Sequence, residues 1–206
     1  DAVHPGFGFL SENSQFARLC EQCQITFIGP DADTIERLGN KSQARNTMIQ
    51  AGVPVIPGSK EALYEPEEAV PVAAEVGYPV IVKAALGGGG KGMRVAADET
   101  ELRHAFCTAQ KEAVAAFGDG TMYLEHFVQR PRHIEFQILA DKYGHVIHLG
   151  ERDCSLQRNH QKLVEESPSP ALSEALREQM GKAAVTAARV SGYENAGTIE
   201  FLLEPD

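Results

Sequence analysis

Val80-Ile-Val-Lys-Ala-Ala-Leu-Gly-Gly-Gly-Gly-Lys-Gly-Met-Arg94 is the stretch on which the fold turns. Its apolar start, ending at Lys83, predicts a buried strand, because β-branched residues or proline fill most positions before the lysine. Gly87 to Gly90 then form a run with no side chains to block close approach. Successive bare amides in a turn make an anion-binding concavity, and Lys83 and Lys91 add formal charge at its edges. A polyphosphate suits such a concavity; the plainer alternative is a flexible hairpin tip. The run is not a Walker A loop, since Gly92 and Met93 follow Lys91 where Ser or Thr would complete that pattern. It also lacks the spaced glycines of a dinucleotide fingerprint.

Outward from this stretch the pattern is mixed α/β. Before it, a helix is expected from about Asn13 to Cys23, a short strand from Ile25 to Ile28, and a helical stretch from Thr34 to Gln50 softened by Gly39. Ala51 to Gly58 reads as a linker, and a helix from about Glu67 to Val76 has Pro71 awkwardly placed unless it falls in the first turn. The glycine run joins strands at Tyr78–Ala84 and Met93–Ala97. Asp98-Glu-Thr-Glu101 is a capping signature for a helix whose apolar stripe is Leu102, Ala105, Phe106, Ala109, Ala113 and Phe117. A strand at Met122–His126 follows, then alternating strands at Ile134–Ala140 and His145–Gly150, a polar loop from Glu151 to Pro170, a helix from Ser173 to Val190 and a last strand at Gly197–Glu204. A small lid carrying the glycine loop, followed by an antiparallel sheet with one polar face, suits a nucleotide clamped between two layers.

The 206 residues, 43% of them hydrophobic, suffice for a core in one or two domains. The formal charge of −10 argues against a nucleic-acid partner or an anionic membrane surface, so a phosphate site has to be a local basic pocket. No apolar run approaches the roughly 18 residues of a membrane span. Asp1 and the strand-like end at Glu204 read as cuts from a longer chain. Four cysteines at this length make no disulfide framework and suit a reducing compartment. Cys20 and Cys23 form a CxxC, which reads as core packing beside Phe16 and Leu19, because no second pair completes a zinc site.

Three further features bear on chemistry. Glu200 interrupts the apolar Gly197-Thr-Ile-Glu-Phe-Leu-Leu203, either as a hard oxygen ligand for a cation or as an exposed strand acid. Arg152, Arg158, His160 and Lys162 crowd the segment Glu151–Lys162, which is either a solvated loop or an anion pocket with Gln157 and His160 as orienting donors. His133 either donates to a phosphate or caps a strand end. His104 lies in a helix and calls for no special role.

These residues resemble the biotin carboxylase family, an ATP-grasp group. The resemblance rests on His4-Pro-Gly-Phe-Gly-Phe-Leu-Ser-Glu-Asn13, Lys83 with Gly87–Met93, Pro131-Arg-His-Ile-Glu-Phe-Gln137, Glu151-Arg-Asp-Cys-Ser155, His160-Gln-Lys162 and Gly197-Thr-Ile-Glu200, in order over the whole chain. Leu149–Ser155 and Glu165–Leu172 look most like the component of bacterial acetyl-CoA carboxylase, and Gly192–Thr198 also resembles pyruvate carboxylase. The resemblance implies an ATP-grasp fold in the α/β (α+β) class. Residues 1–30 would be the remnant of an N-terminal α/β domain, 31–55 a helical linker, 56–127 the lid and 128–206 a truncated antiparallel subdomain. It implies ATP-dependent ligase chemistry: bicarbonate is phosphorylated to carboxyphosphate, which carboxylates biotin on a carrier protein.

By motif match, Lys41 and Lys83 contact ATP phosphates and Gly89 and Gly90 close over them, with Met93 at the loop's end. Glu125, His126, Phe127 and Val128 meet the adenine, largely through backbone. His133 and Gln157 reach ribose or phosphate. His160 and Lys162 serve catalysis at the phosphate and bicarbonate side, and Glu200 holds Mg2+ (or Mn2+). The family also implies a biotin carboxyl carrier partner, a carboxyltransferase component, a homodimer, a cytoplasmic setting and a link to fatty acid synthesis. Leu86 stands where a glycine is frequent and His126 where a lysine is frequent. The family pattern continues with a second metal-binding glutamate, a bicarbonate-binding arginine and a general-base glutamate, so residues 1–206 alone are expected to be inactive. The other readings are a carbamoyl phosphate synthetase-like ligase, disfavoured by His160-Gln-Lys162, and a non-catalytic nucleotide-binding fragment.

Overall fold

The computed structural model describes residues 1–6, 8–85, 92–158 and 161–204, leaving aside the side chains of Lys41 and Ser42. Gly87 to Gly90 with Lys91, His160, and the Lys41 side chain thus lie outside the described residues. The chain divides into two compact units, one of residues 1–39, 47–54 and 130–206, the other of 40–46 and 55–129.

The first unit opens with β1 (Ala2–Val3), paired in parallel with β2 (Thr26–Phe27) across α1 (Ser14–Gln22). Asn13 starts α1, its side chain accepting the Phe16 N–H at 2.8 Å. α2 (Ala32–Gly39) packs Ala32 and Ile35 on Ala17 and Phe27. The stretch expected as a single helix is two, because Gly39 ends α2 and the Asn40 side chain caps the start of α3 (Lys41–Gln50). The CxxC is split as well: Cys20 is buried, whereas Cys23 and Leu19 are exposed. All four cysteines are free thiols.

The second unit holds α4 (Pro66–Val76), β3 (Val80–Ala84), β4 (Met93–Ala96), α5 (Glu99–Phe117) and β5 (Met122–His126), with the strands in the antiparallel order β4-β3-β5. Pro66 occupies the first position of α4, where no N–H is needed, but Pro71 lies beyond the first turn. The helix nevertheless continues past it to Val76, with Ala69 and Ala73 buried in the unit's core. Strand alternation puts Val80, Val82 and Ala84 into that core against Leu102, Phe106, Ala109 and Ala113 of α5. Lys83 and Ile81 face the other way, in register with Tyr123 and Glu125. Asp98 caps α5 by accepting the Glu101 N–H at 2.9 Å, and Gly118 at φ 73° ends it in the left-handed conformation a glycine takes freely.

In the first unit again, β6 (Arg132–Ala140), β7 (Val146–Arg158), β8 (Gln161–Glu166) and β9 (Asn195–Leu203) form an antiparallel sheet in the order β8-β7-β6-β9, with α6 (Glu174–Val190) on one face. Ile134, Phe136 and Ile138 point into a core shared with Met180, Ala184 and Ala188 of α6. Gly181 belongs to that interface, where an added Cβ would meet the His148 ring at 2.6 Å. The segment expected as a polar loop, 151–170, is largely strand: β7 continues to Arg158 and β8 pairs back on it. Two of its acids are not solvated, since Glu151 and Asp153 are buried and find partners within the protein, whereas Arg158 and the residues of β8 are exposed. Among the described residues, no helix is long and apolar enough to cross a membrane.

Candidate functional site

β6 alternates, so while Phe136 enters the core, His133, Glu135 and Gln137 occupy the opposite face. Glu135 stands directly across from Arg152 on β7 and Glu200 on β9, making a row Arg152–Glu135–Glu200 over three strands. Two carboxylates opposite each other repel. Lys162 on β8 resolves this by ion-pairing with both Glu135 and Glu200. Arg152 donates from Nε to Glu135 at 2.6 Å and from Nη2 to Gln137 Oε1 at 3.1 Å, and pairs with Glu165 at 3.2 Å. Arg152 and Lys162 are thus both paired with one buried acid, Glu135, which fixes their positions on this face of the sheet.

The electrostatics follow. Burial alone would raise the Glu135 carboxyl, but hydrogen bonds and charge from Lys162 and Arg152 outweigh it and hold the group below its ordinary range. Burial would lower the Lys162 ammonium, yet its pairs with Glu135 and Glu200 win and raise it. Both groups are thus ionised at neutral pH. The Cys154 thiol is pushed up to about 11 by burial, then by Glu135, so it stays protonated and is no nucleophile. Cys154, Glu135 and Glu165 offer ligand atoms within 4.8 Å of one another. With that thiol protonated and both acids ion-paired, this trio is not a ready metal centre. Glu200, more than half exposed, is the row's accessible hard oxygen donor.

In the other unit, Lys83 forms an ion pair with Glu125, and its Nζ lies 5.8 Å from the centre of the Tyr123 ring. Met93 is opposite Lys83 on β4. The His126 ring Nδ1 lies 3.0 Å from the Gly77 carbonyl, and the amides of His126 and Phe127 donate to the carbonyls of Pro57 and Pro79 at 2.8 and 2.9 Å. Val128 is half-buried.

Residues 1–35 match the family model described as biotin carboxylase, N-terminal domain, and residues 40–206 the one described as carbamoyl-phosphate synthase L chain, ATP binding domain. Biotin carboxylase 1 of Bacillus subtilis is 57% identical over 204 residues, covering 99% of this chain and 45% of that protein. The chain belongs to the biotin carboxylase family. It has the ATP-grasp fold: the crystal structure of a biotin carboxylase–βγ-ATP complex from Campylobacter jejuni superposes with a TM-score of 0.93 at 54% identity, over 99% of this chain and 46% of that one. The biotin carboxylase domain dimer of Hydrogenobacter thermophilus 2-oxoglutarate carboxylase, in complex with MgADP, ADP and bicarbonate, gives 0.90 at 53% identity, over 98% and 45%. The chain spans about half the length of the curated relatives it matches.

Within this biotin carboxylase framework the structure gathers Lys162, Glu200 and Arg152 around Glu135, to which the sequence reading gave no role. Glu135 alternates with Ile134 and Phe136, on the same face as His133 and Gln137, which is the ordinary pattern of a strand with one polar face. Asp153 and Ser155 were also missed. Asp153 accepts from Arg132 Nη1 at 3.1 Å, Ser169 Oγ at 3.1 Å, and both the amide and hydroxyl of Ser155. Glu151 accepts from Arg177 Nε at 2.7 Å and the Ser169 N–H at 3.1 Å.

For Glu151 and Asp153 burial raises the carboxyl, but these bonds outweigh it and both sit below their ordinary values. A carboxyl depressed in the folded state adds stability that is complete above its unfolded value, about pH 4, and is lost as pH falls through the folded one. The thermal midpoint is expected to be flat from pH 7 to about 5 and to fall steeply below about 4. Asp153→Asn should lower the midpoint at pH 7 and flatten that acid limb, read by circular dichroism melts. A parallel acid limb in the variant would remove Asp153 from the account.

Proposed function

We propose that this chain carries the nucleotide site of a biotin carboxylase, in which ATP phosphorylates bicarbonate and the carboxyphosphate formed carboxylates biotin held on a carrier protein. The observation that carries the reading is Lys162 fixed between Glu135 and Glu200 on the open face of the β8-β7-β6-β9 sheet. A bicarbonate oxygen takes the γ-phosphoryl group as the bond to the ADP oxygen breaks. Negative charge crowds at both oxygens, and fixed cations are what such a transfer needs. Lys162 supplies one at the bicarbonate side, with His160 beside it in sequence. Lys41 and Lys83 serve the phosphates together with Gly89 and Gly90. Glu125 to Val128 receive the adenine, and His133 and Gln157 the ribose or phosphate.

Glu200, more than half exposed, is the kind of oxygen donor magnesium prefers and would be the residue of this row to hold Mg2+ or Mn2+. When bound, the ion neutralises phosphate charge during transfer. We read residues 56–127 as the lid, 128–206 as the sheet subdomain, 1–30 as part of an N-terminal domain and 31–55 as the linker. The whole protein is proposed to be a cytoplasmic homodimer that works with a biotin carboxyl carrier and a carboxyltransferase. Acetyl-CoA is the acceptor favoured by Leu149–Ser155 and Glu165–Leu172. A keto-acid carboxylase is the alternative, favoured by the likeness to the 2-oxoglutarate enzyme's domain.

Calorimetry with MgATP on the parent and Lys83→Ala tests the site. Loss of a charged donor to phosphate is expected to weaken binding on the order of tenfold or more. Equal affinity in the variant would withdraw Lys83 from the phosphates. Residues 1–206 alone are expected to show no bicarbonate-dependent ATPase, and measurable turnover by them would contradict the placement of further catalytic groups elsewhere.

A further inference from the structure

Regular pairing between β6 and β7 stops at Ile134 and Asp153. Just beyond, the pairing of β7 with β8 shifts register twice between Asp153 and Gln157, the mark of a bulge. Bulges re-aim side chains and leave ladder groups without partners. One such group is the backbone N–H of His133, the next residue on β6. It is taken by a side chain instead: the Ser155 hydroxyl oxygen accepts it at 3.0 Å. That hydroxyl in turn donates to Asp153, whose side chain is 2% exposed and is also held by Arg132 and Ser169. The Ser155 amide donates to the same carboxylate at 3.1 Å, so backbone and side chain of Ser155 are both fixed by Asp153.

We propose that Asp153 and Ser155 are positioning residues that set His133 for the nucleotide, replacing by a side-chain relay the ladder bond that the bulge removes. The relay has a direction. Asp153 is locked by four donors from three segments, Ser155 is locked by Asp153, and His133 takes its place from Ser155. A hydroxyl is required at 155, because it must accept from one group and donate to another, and only Ser and Thr do so at that size. The same bulge carries Gln157, whose side chain donates to the Cys154 carbonyl at 3.0 Å within it. The proposal rests on the reading that His133 faces the nucleotide.

The test is a double-mutant cycle on the intact protein, with MgATP affinity measured by calorimetry at a temperature where all variants are folded. Ser155→Ala is expected to weaken MgATP about 3- to 10-fold, the worth of one hydrogen bond, and Ser155→Thr to restore it. In a His133→Ala background the same Ser155→Ala change is expected to do nothing further, since coupled residues do not add. A general loss of structure would instead weaken binding equally in both backgrounds, and that result overturns the proposal. His133→Ala alone tests the underlying reading: unchanged affinity there would show that the histidine does not meet the nucleotide. The relay itself is read without nucleotide from the His133 amide and ring signals by NMR. They should be single and sharp in the parent and Ser155→Thr, and shifted or averaged in Ser155→Ala. Unchanged signals in Ser155→Ala would refute the relay even if binding fell.

Discussion

Replacing Glu135 by alanine is expected to lower folding stability by about 3–5 kcal/mol, the usual consequence of removing one partner from a buried ionic cluster. The side chain is 5% exposed, and it is the shared acceptor for Arg152 and Lys162. Each cation keeps one other acid, Glu165 for Arg152 and Glu200 for Lys162, and both acids are substantially exposed. Arg152 and Lys162 remain 28% and 30% exposed, so water screens part of the loss and the lower end of the range is expected. Glu135→Gln keeps size and an acceptor but drops the charge, and its effect should be nearer ~1–2 kcal/mol. The pH signature separates this cluster from packing. The depressed Glu135 contributes fully above about pH 4 and is lost below it, while the raised Lys162 contributes below about pH 10 and is lost above. Parent stability from urea titrations should therefore form a plateau between those limits, and Glu135→Ala should flatten both shoulders. A cost below ~1 kcal/mol would mean that the cluster behaves as a solvated surface pair.

Much of the fold could be read from local rules, and the exceptions share a cause. Val80–Ala84 and Met122–His126 declared themselves by β-branched and apolar runs, and Asp98 and Gly118 bounded α5 by cap chemistry that acts within a few residues. Glu151–Arg158 was different. Its charge and polarity imitate a loop, and only the tertiary partners Arg177, Ser169, Arg132 and Glu135 make it a strand. Those partners lie far away in sequence, where no periodicity can register them. The same applies to the site. Lys162 and Glu200 were legible as unusual charges, but Glu135 was hidden by its ordinary place in an alternating strand, and its importance appears only when three strands and a hairpin bring four charged groups together.

Phe136 provides the complementary test, one residue along on the opposite face of β6. Phe136→Ala is expected to destabilise by about 3–5 kcal/mol, the range for deleting a large buried aromatic and leaving a cavity. The ring is 0% exposed and sits edge-on to His148 and Phe201, with centroids 5.4 and 5.9 Å away at 79° and 85°. His148 can approach because Gly181 of α6 carries no Cβ, so the contact is built from a helix, two neighbouring strands and β6 itself. Collapse is difficult where so many elements converge, which favours the upper half of the range. Phe136→Leu should recover most of the loss, since it refills much of the volume but forfeits the edge-to-face geometry, worth ~0.5–1.5 kcal/mol per aromatic pair. Urea midpoints at constant slope read both variants. The loss from Phe136→Ala should not follow the carboxylate titration below about pH 4, because the ring carries no charge, whereas that from Glu135→Ala should shrink as the pH falls through that range. Equal pH dependence for the two would mean that the faces of β6 do not act independently, and that the charge row owes its geometry to the core beneath it.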